Sequence, residues 1–164
     1  MRALISILIA LTSHQLVAQD SLQVLGAEAI SRLMPSSIKG LSNASDTKAK
    51  LITLGDMKYA MAEKTFGVGR KSIRLMLFDY GAAPVMLLQT RRSWSGYVAV
   101  SSDSLVRRPY SHPYYTGWET TTPTDTQIVL IVHDRYVLVA GSQHAGQEGV
   151  MDAIRQVDFK KFPH

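Results

Sequence analysis

The sequence predicts an α+β fold, a mostly antiparallel sheet of about five strands with helices packed against it. Three observations carry this reading. The stretch TQIVLIVHDRYVLVA, residues 126–140, holds two β-branched apolar runs around a three-residue polar break, His133-Asp134-Arg135. That pattern suits a hairpin, and neither run alternates with polar residues, so both of its faces are expected to be covered. A second hairpin is expected where residues 58–66 meet IRLMLF, residues 73–78, across Gly67-Val68-Gly69. Stretches with apolar residues at helical spacing lie before, between and after these hairpins.

Taken in order, the chain opens with a pattern of its own. Arg2 precedes the apolar run 3–11, broken only by Ser6, and Leu16-Val17-Ala18 places a small residue before Gln19. This is the three-part layout of a secretory signal peptide, with 1–18 as the leader and 19–164 as a single α+β domain. The run is far short of the roughly 20 residues a membrane-spanning helix needs. Export to a bacterial periplasm or to the outside of the cell is the expected location, with no transmembrane segment in the mature chain.

Asp20-Ser21 offers an N-cap, and Leu22, Leu25, Ala29 and Leu33 then predict a helix over 22–34, stopped by Pro35. Residues 35–50, rich in Ser, Asn, Asp and Thr, read as a loop in which Ile38 and Leu41 pin the chain to the body. After the second hairpin, Pro84 fits a first helical turn, and the spacing of Val85, Leu88 and Arg92 predicts a helix over 83–94. Residues 97–100 are a short strand candidate, residues 101–113 read as irregular, polar and basic, and residues 114–121 read as a strand leading to the central hairpin. Val150, Ile154 and Val157 predict a closing helix over 147–157, with Phe159 and Phe162 docking the tail.

Composition narrows the function. The 164 residues contain no cysteine, which excludes disulfides, thiolate metal sites and a cysteine nucleophile. Removing 1–18 takes away Arg2 and no acid, leaving 17 Lys and Arg against 13 Asp and Glu, a net +4. A mildly basic surface suits a protein or an anionic envelope component as partner. The export pattern argues against nucleic acid.

No motif specifies catalysis or a cofactor. His112, His133, His144 and His164 have no local metal-binding spacing, so neither metal nor cofactor is expected. His133 and Asp134 fit a solvated turn. His144 could serve as a general base, and as plainly as a loop residue. Ser95-Gly96 lacks the glycine of a nucleophile elbow, and Gly67-Val68-Gly69 is better explained as a hairpin turn than as half a dinucleotide fingerprint. Asp79 ends a strand with no second carboxylate beside it, and either it or Gly81 could cap the next helix.

The best binding candidate is RRPYSHPYYTGW, residues 107–118, which concentrates Arg107, Arg108, Tyr110, His112, Tyr114 and Trp118. Arg, Tyr and Trp dominate binding hot spots, although Tyr115 and Trp118 would equally serve as core with the arginines solvated. Arg91 and Arg92 complement the dipole at the end of their helix.

The segments Asp79-Tyr80-Gly81-Ala82-Ala83, between strand and helix, and Asp134-Arg135-Tyr136-Val137-Leu138-Val139, ahead of the last helix, give a layout that resembles small exported bacterial domains with a PsbP-like α/β/α sandwich. The resemblance implies a non-enzymatic accessory or binding role and no catalytic residue. The expected function is therefore an exported, non-enzymatic binding domain. A small envelope hydrolase or lyase using His144, His112 or Asp79 is one alternative. A carrier of an apolar or anionic small ligand is the other.

Overall fold

All eight strands of the described chain belong to one antiparallel sheet, and they arrive in two meanders. The structure, a computed structural model, describes residues 23–41, 44–67 and 71–164. The proposed leader, residue 22 of the first predicted helix, and Val68 and Gly69 of the second hairpin's turn lie outside the described residues. The first meander is β1 (Lys48–Leu54), β2 (Met57–Phe66) and β3 (Ile73–Asp79). The second is β4 (Val100–Ser101), β5 (Val106–His112), β6 (Tyr115–Thr121), β7 (Asp125–Val132) and β8 (Tyr136–Gln143). They join where β8 pairs β3, giving the order β1-β2-β3-β8-β7-β6-β5-β4.

The expectation of about five strands is therefore corrected to eight, with three short α-helices. The missed strands have a common physical character. β1 is an edge strand with most of its residues exposed, so KAKLITL carries no buried alternation to read. β5 has Pro109 within it and only the two-residue β4 on its outer side, so its composition looks like a loop. The strand candidate at 97–100 shrinks to β4, which begins at Val100.

Helices cover the sheet unequally. α1 (Ala27–Ser31) and α3 (Gly146–Arg155) lie on one face, over Ala60, Ala62, Leu75, Leu77, Ile128, Leu130 and Leu138. The tail adds Phe159 and Phe162, whose rings meet Tyr115 at 4.9 Å and Tyr136 at 5.2 Å. On the other face α2 (Pro84–Arg92) covers only part of the sheet, and Met86 and Leu87 pack toward Phe78, Ile131 and Val137. The expectation that the central hairpin is covered on both sides thus describes its lower half. Pro84 stands in the first turn of α2, where its missing N–H costs nothing.

One buried ion pair ties the meanders together. Asp79, fully buried at the end of β3, accepts from Arg135 Nε and Nη2 at 2.8 Å each. The same carboxylate accepts from the backbone N–H of Leu25 at 2.8 Å and of Gly81 at 2.9 Å. Arg135 also donates to the carbonyl of Gln23 at 2.9 Å. Residues 23–25 are therefore a strap tied to the ion pair, and this explains why the helix predicted over 22–34 starts only at Ala27, after an extended Gly26. A Cβ at Gly81 would stand 3.0 Å from Arg135 Nε and 3.1 Å from Asp79 Oδ1, so any side chain there would press on the buried ion pair. Arg135 follows His133 and Asp134, both at positive φ, in a turn closed by Arg135 N–H to the Val132 carbonyl at 3.1 Å.

Burial alone would raise the Asp79 pKa, but the Arg135 hydrogen bonds, the two backbone donors and the guanidinium charge outweigh it and hold it below its usual 3.8. The sign follows from linkage. A depressed carboxyl pKa gives stability that is complete above the unfolded value and lost as pH falls through the folded one. The unfolding temperature should hold between about pH 5 and 7 and fall below about pH 4, and Asp79→Asn should remove that acid dependence. Arg135→Met alone should cost about 3–5 kcal/mol by stranding a buried charge, and the double variant Asp79→Leu/Arg135→Met should be more stable than either single change. Denaturant unfolding of the three variants checks this.

Candidate functional site

The half-covered face of the sheet is ordered in cross-strand rows, because paired residues on neighbouring strands share a face. The lowest row runs Met61, Phe78, Val137, Ile131 and lies under α2. The next runs Glu63, Met76, Val139, Val129, Trp118. The third is polar and crosses six strands: Thr65, Arg74, Gly141, Gln127, Thr120, Arg107. α2 does not reach it. Here the sheet floor opens into a concavity of about 770 Å³ lined by Thr65, Arg74, Met76, Val139, Gly141 and Gln127, among others. That volume lies within the usual range for ligand sites.

The chemistry of the lining comes from alternation. Each strand that sends Leu75, Ala140 or Ile128 into the core sends the residues beside it to the opposite face, and toward this end those neighbours are Arg74, Gly141 and Gln127. Arg74 is exposed, with one carboxylate nearby, Glu63 at 3.4 Å. Thr65, Thr120 and Gln127 make no side-chain hydrogen bond among the described residues, so their donors and acceptors are free. Tyr97 stands at one wall, on the connection from α2 to β4. Its ring meets Trp118 edge-on at 5.7 Å and carries the Arg107 guanidinium at 4.8 Å. Asp125 sits at the rim, where the Thr124 hydroxyl donates to it at 2.6 Å.

Gly141 makes the notch. An added Cβ there meets nothing nearer than the Thr126 carbonyl at 3.6 Å. Gly117 on β6 is the opposite case, since its Cβ would fall 2.1 Å from the Val129 carbonyl and 2.8 Å from Leu130 Cδ2.

The six residues singled out in the sequence do not form one patch. β5 and β6 alternate, so Arg108, Tyr110 and His112 face the α3 side, whereas Arg107 and Trp118 lie on the opposite face, behind Tyr97 and outside the lining of the concavity. Arg108 and Tyr110 serve a structural purpose. Glu119, fully buried, accepts from Arg108 Nε and Tyr110 Oη at 2.6 Å each and from the Thr121 hydroxyl at 2.7 Å. Burial and the neighbouring Glu119 push the Tyr110 phenol up to about 12. Gln147 of α3 donates to Tyr110 Oη at 3.4 Å, linking helix to sheet. His112 stacks on Tyr115 at 4.7 Å, and Tyr114 lies edge-on to His133 at 6.2 Å.

Other sequence candidates separate too. Asp79 is saturated by Arg135 and two amides. His133 packs against His164 with ring centroids 4.1 Å apart, so it is not a simple solvated turn residue, whereas Asp134 is exposed and accepts from Arg91 at 2.5 Å. His144 and Asp152 both line a shallow depression of about 270 Å³ beside α3, with no hydrogen bond between them among the described residues. No cluster of three metal-ligating side chains occurs among the described residues, and none of their helices is long and apolar enough to cross a membrane.

Sequence reasoning missed Arg74, Gly141, Gln127 and Thr120 as a group. The available signal was polar and glycine residues at alternate positions near the ends of otherwise apolar strands.

The sequence matches no protein-family model and no curated protein. Among solved structures it is similar to a GTP-binding regulator from Thermotoga maritima, with a TM-score of 0.45 and 14% identity over 79% of this chain and 84% of that one. A likeness at that level carries no argument about fold or ligand.

Gly141→Ala should leave the unfolding temperature essentially unchanged, because the new methyl meets only ordinary contacts. Gly117→Ala should destabilise by about 1–3 kcal/mol through overpacking. Thermal denaturation of the two variants side by side tests whether the notch is open and the neighbouring strand is closed.

Proposed function

We propose that this chain is an exported, non-enzymatic binding domain that seats an envelope component in the concavity beyond α2. The observation that carries the reading is the polar row from Thr65 to Thr120, which no helix covers. It lies on the same face whose lower row is sealed by a helix. A sheet face needs a partner where it is apolar and can stay open to water where it is polar. The open end of this face pairs free hydroxyl and amide groups with an exposed guanidinium, which is the equipment of recognition.

Two further facts support binding over catalysis. The two fully buried carboxylates among the described residues, Asp79 and Glu119, are each held by an arginine and at least two further donors, an arrangement that fixes structure. Among the described residues, no histidine lines the concavity. Its polar lining and open form also suit a polar ligand better than the apolar cargo of a carrier. Export rests on Arg2, the apolar run 3–11 and Ala18.

Gly141→Val tests the site. Valine suits a strand, so stability should hold or rise, while its side chain fills the notch. Retention of the variant on a native envelope fraction should fall by at least about tenfold relative to the parent protein. Full retention with an intact fold would move binding away from this face.

A further inference from the structure

We propose that the ligand of this concavity is an acidic oligosaccharide, an inference that rests on the binding reading above. The polar row supplies a side chain from each strand it crosses except β8, where Gly141 leaves the notch, and neighbouring strands are about 4.8 Å apart. That step is close to the repeat of a pyranose chain, so a saccharide lying across the strands meets a side chain on either side of the notch. Thr65, Thr120 and Gln127 can each donate and accept, as sugar hydroxyls do.

The row beneath it supplies the second half of the match. Met76 and Val139 give an apolar floor for the C–H face of a sugar ring, and Gly141 lets that ring approach the backbone. Tyr97 forms an aromatic wall whose tilt is set by Trp118 and Arg107.

Arg74 selects for acid. Its side chain is 63% exposed, and its contact to Glu63, at 3.4 Å, is longer than a charge-assisted hydrogen bond of about 2.7–2.9 Å. The donor fork is therefore open to a carboxylate, which it can grip with two parallel bonds. Asp125 is the carboxylate in the lining. It pairs in register with Gln143, outside the row that contains Arg74, and takes a hydrogen bond from Thr124.

Calorimetric titration of the mature protein with tetragalacturonate, cellotetraose and pentaglutamate tests the inference. Tetragalacturonate should bind, with cellotetraose weaker by about tenfold, the value of one charge-assisted contact, and pentaglutamate weaker than either. Arg74→Gln should weaken tetragalacturonate about tenfold and leave cellotetraose unchanged, while Gly141→Val should abolish both. No heat from either saccharide, pentaglutamate binding as tightly as tetragalacturonate, or titrations indifferent to both variants would overturn the saccharide. If neither saccharide binds and Gly141→Val still loses envelope retention, the saccharide inference alone falls. If Gly141→Val keeps envelope retention, the site itself falls.

Discussion

The pairing of Asp79 with Arg135 is the constraint on which the architecture depends. The sheet consists of two meanders that touch along one seam, β3 against β8. The ion pair stands at the end of that seam. Taking both charges out of water is expensive, and only a nearly complete set of partners makes it tolerable. The set is nearly complete here: Asp79 accepts four hydrogen bonds, and Arg135 adds a carbonyl from the N-terminal strap. The arginine also lies over the Tyr136 ring at 4.9 Å. The same interaction holds the hairpin turn in which His133 and Asp134 adopt left-handed backbone, a conformation that non-glycine residues take at a cost.

The clamp also decides where the open face lies. Gly81 lies two residues after Asp79, and α2 begins three residues later, so the helix starts at the clamped end of the seam. At nine residues it spans only part of the face, and its side chains settle over Phe78, Ile131 and Val137. The far end is left without a helix. A natural sheet can leave such a surface wet only if its residues are polar, and there they are: Thr65, Arg74, Gln127 and Thr120. The candidate site is thus the polar remainder of a face that a short helix covers incompletely.

Much of the fold was legible in the sequence because burial writes a strong signal. The strands around His133-Asp134-Arg135, the run IRLMLF and the closing helix with Val150 and Ile154 all bury apolar residues, and all appear near their expected places. β1 and β5 bury few residues and left little pattern. The ion pair was visible only as two unrelated segments, one containing Asp79 and one containing Arg135, because 56 residues separate the partners. The site was less legible still. RRPYSHPYYTGW looked like one patch because its residues are adjacent in sequence, but strand alternation sends neighbours to opposite faces. Thr65, Arg74, Thr120, Gln127 and Gly141 are adjacent only through the register of five strands, which sequence periodicity does not encode.

The proposed binding site is the polar row, and the rest of the molecule holds that row in place. Amide chemical-shift mapping of isotope-labelled protein against a solubilised envelope extract tests it directly. Binding at the row should concentrate shifts at Thr65, Arg74, Gly141, Gln127 and Thr120, with little change at Asp79, Arg135 and Glu119. Shifts centred on His112, Tyr114 and His133 at the opposite end of the sheet, with the polar row silent, would contradict it.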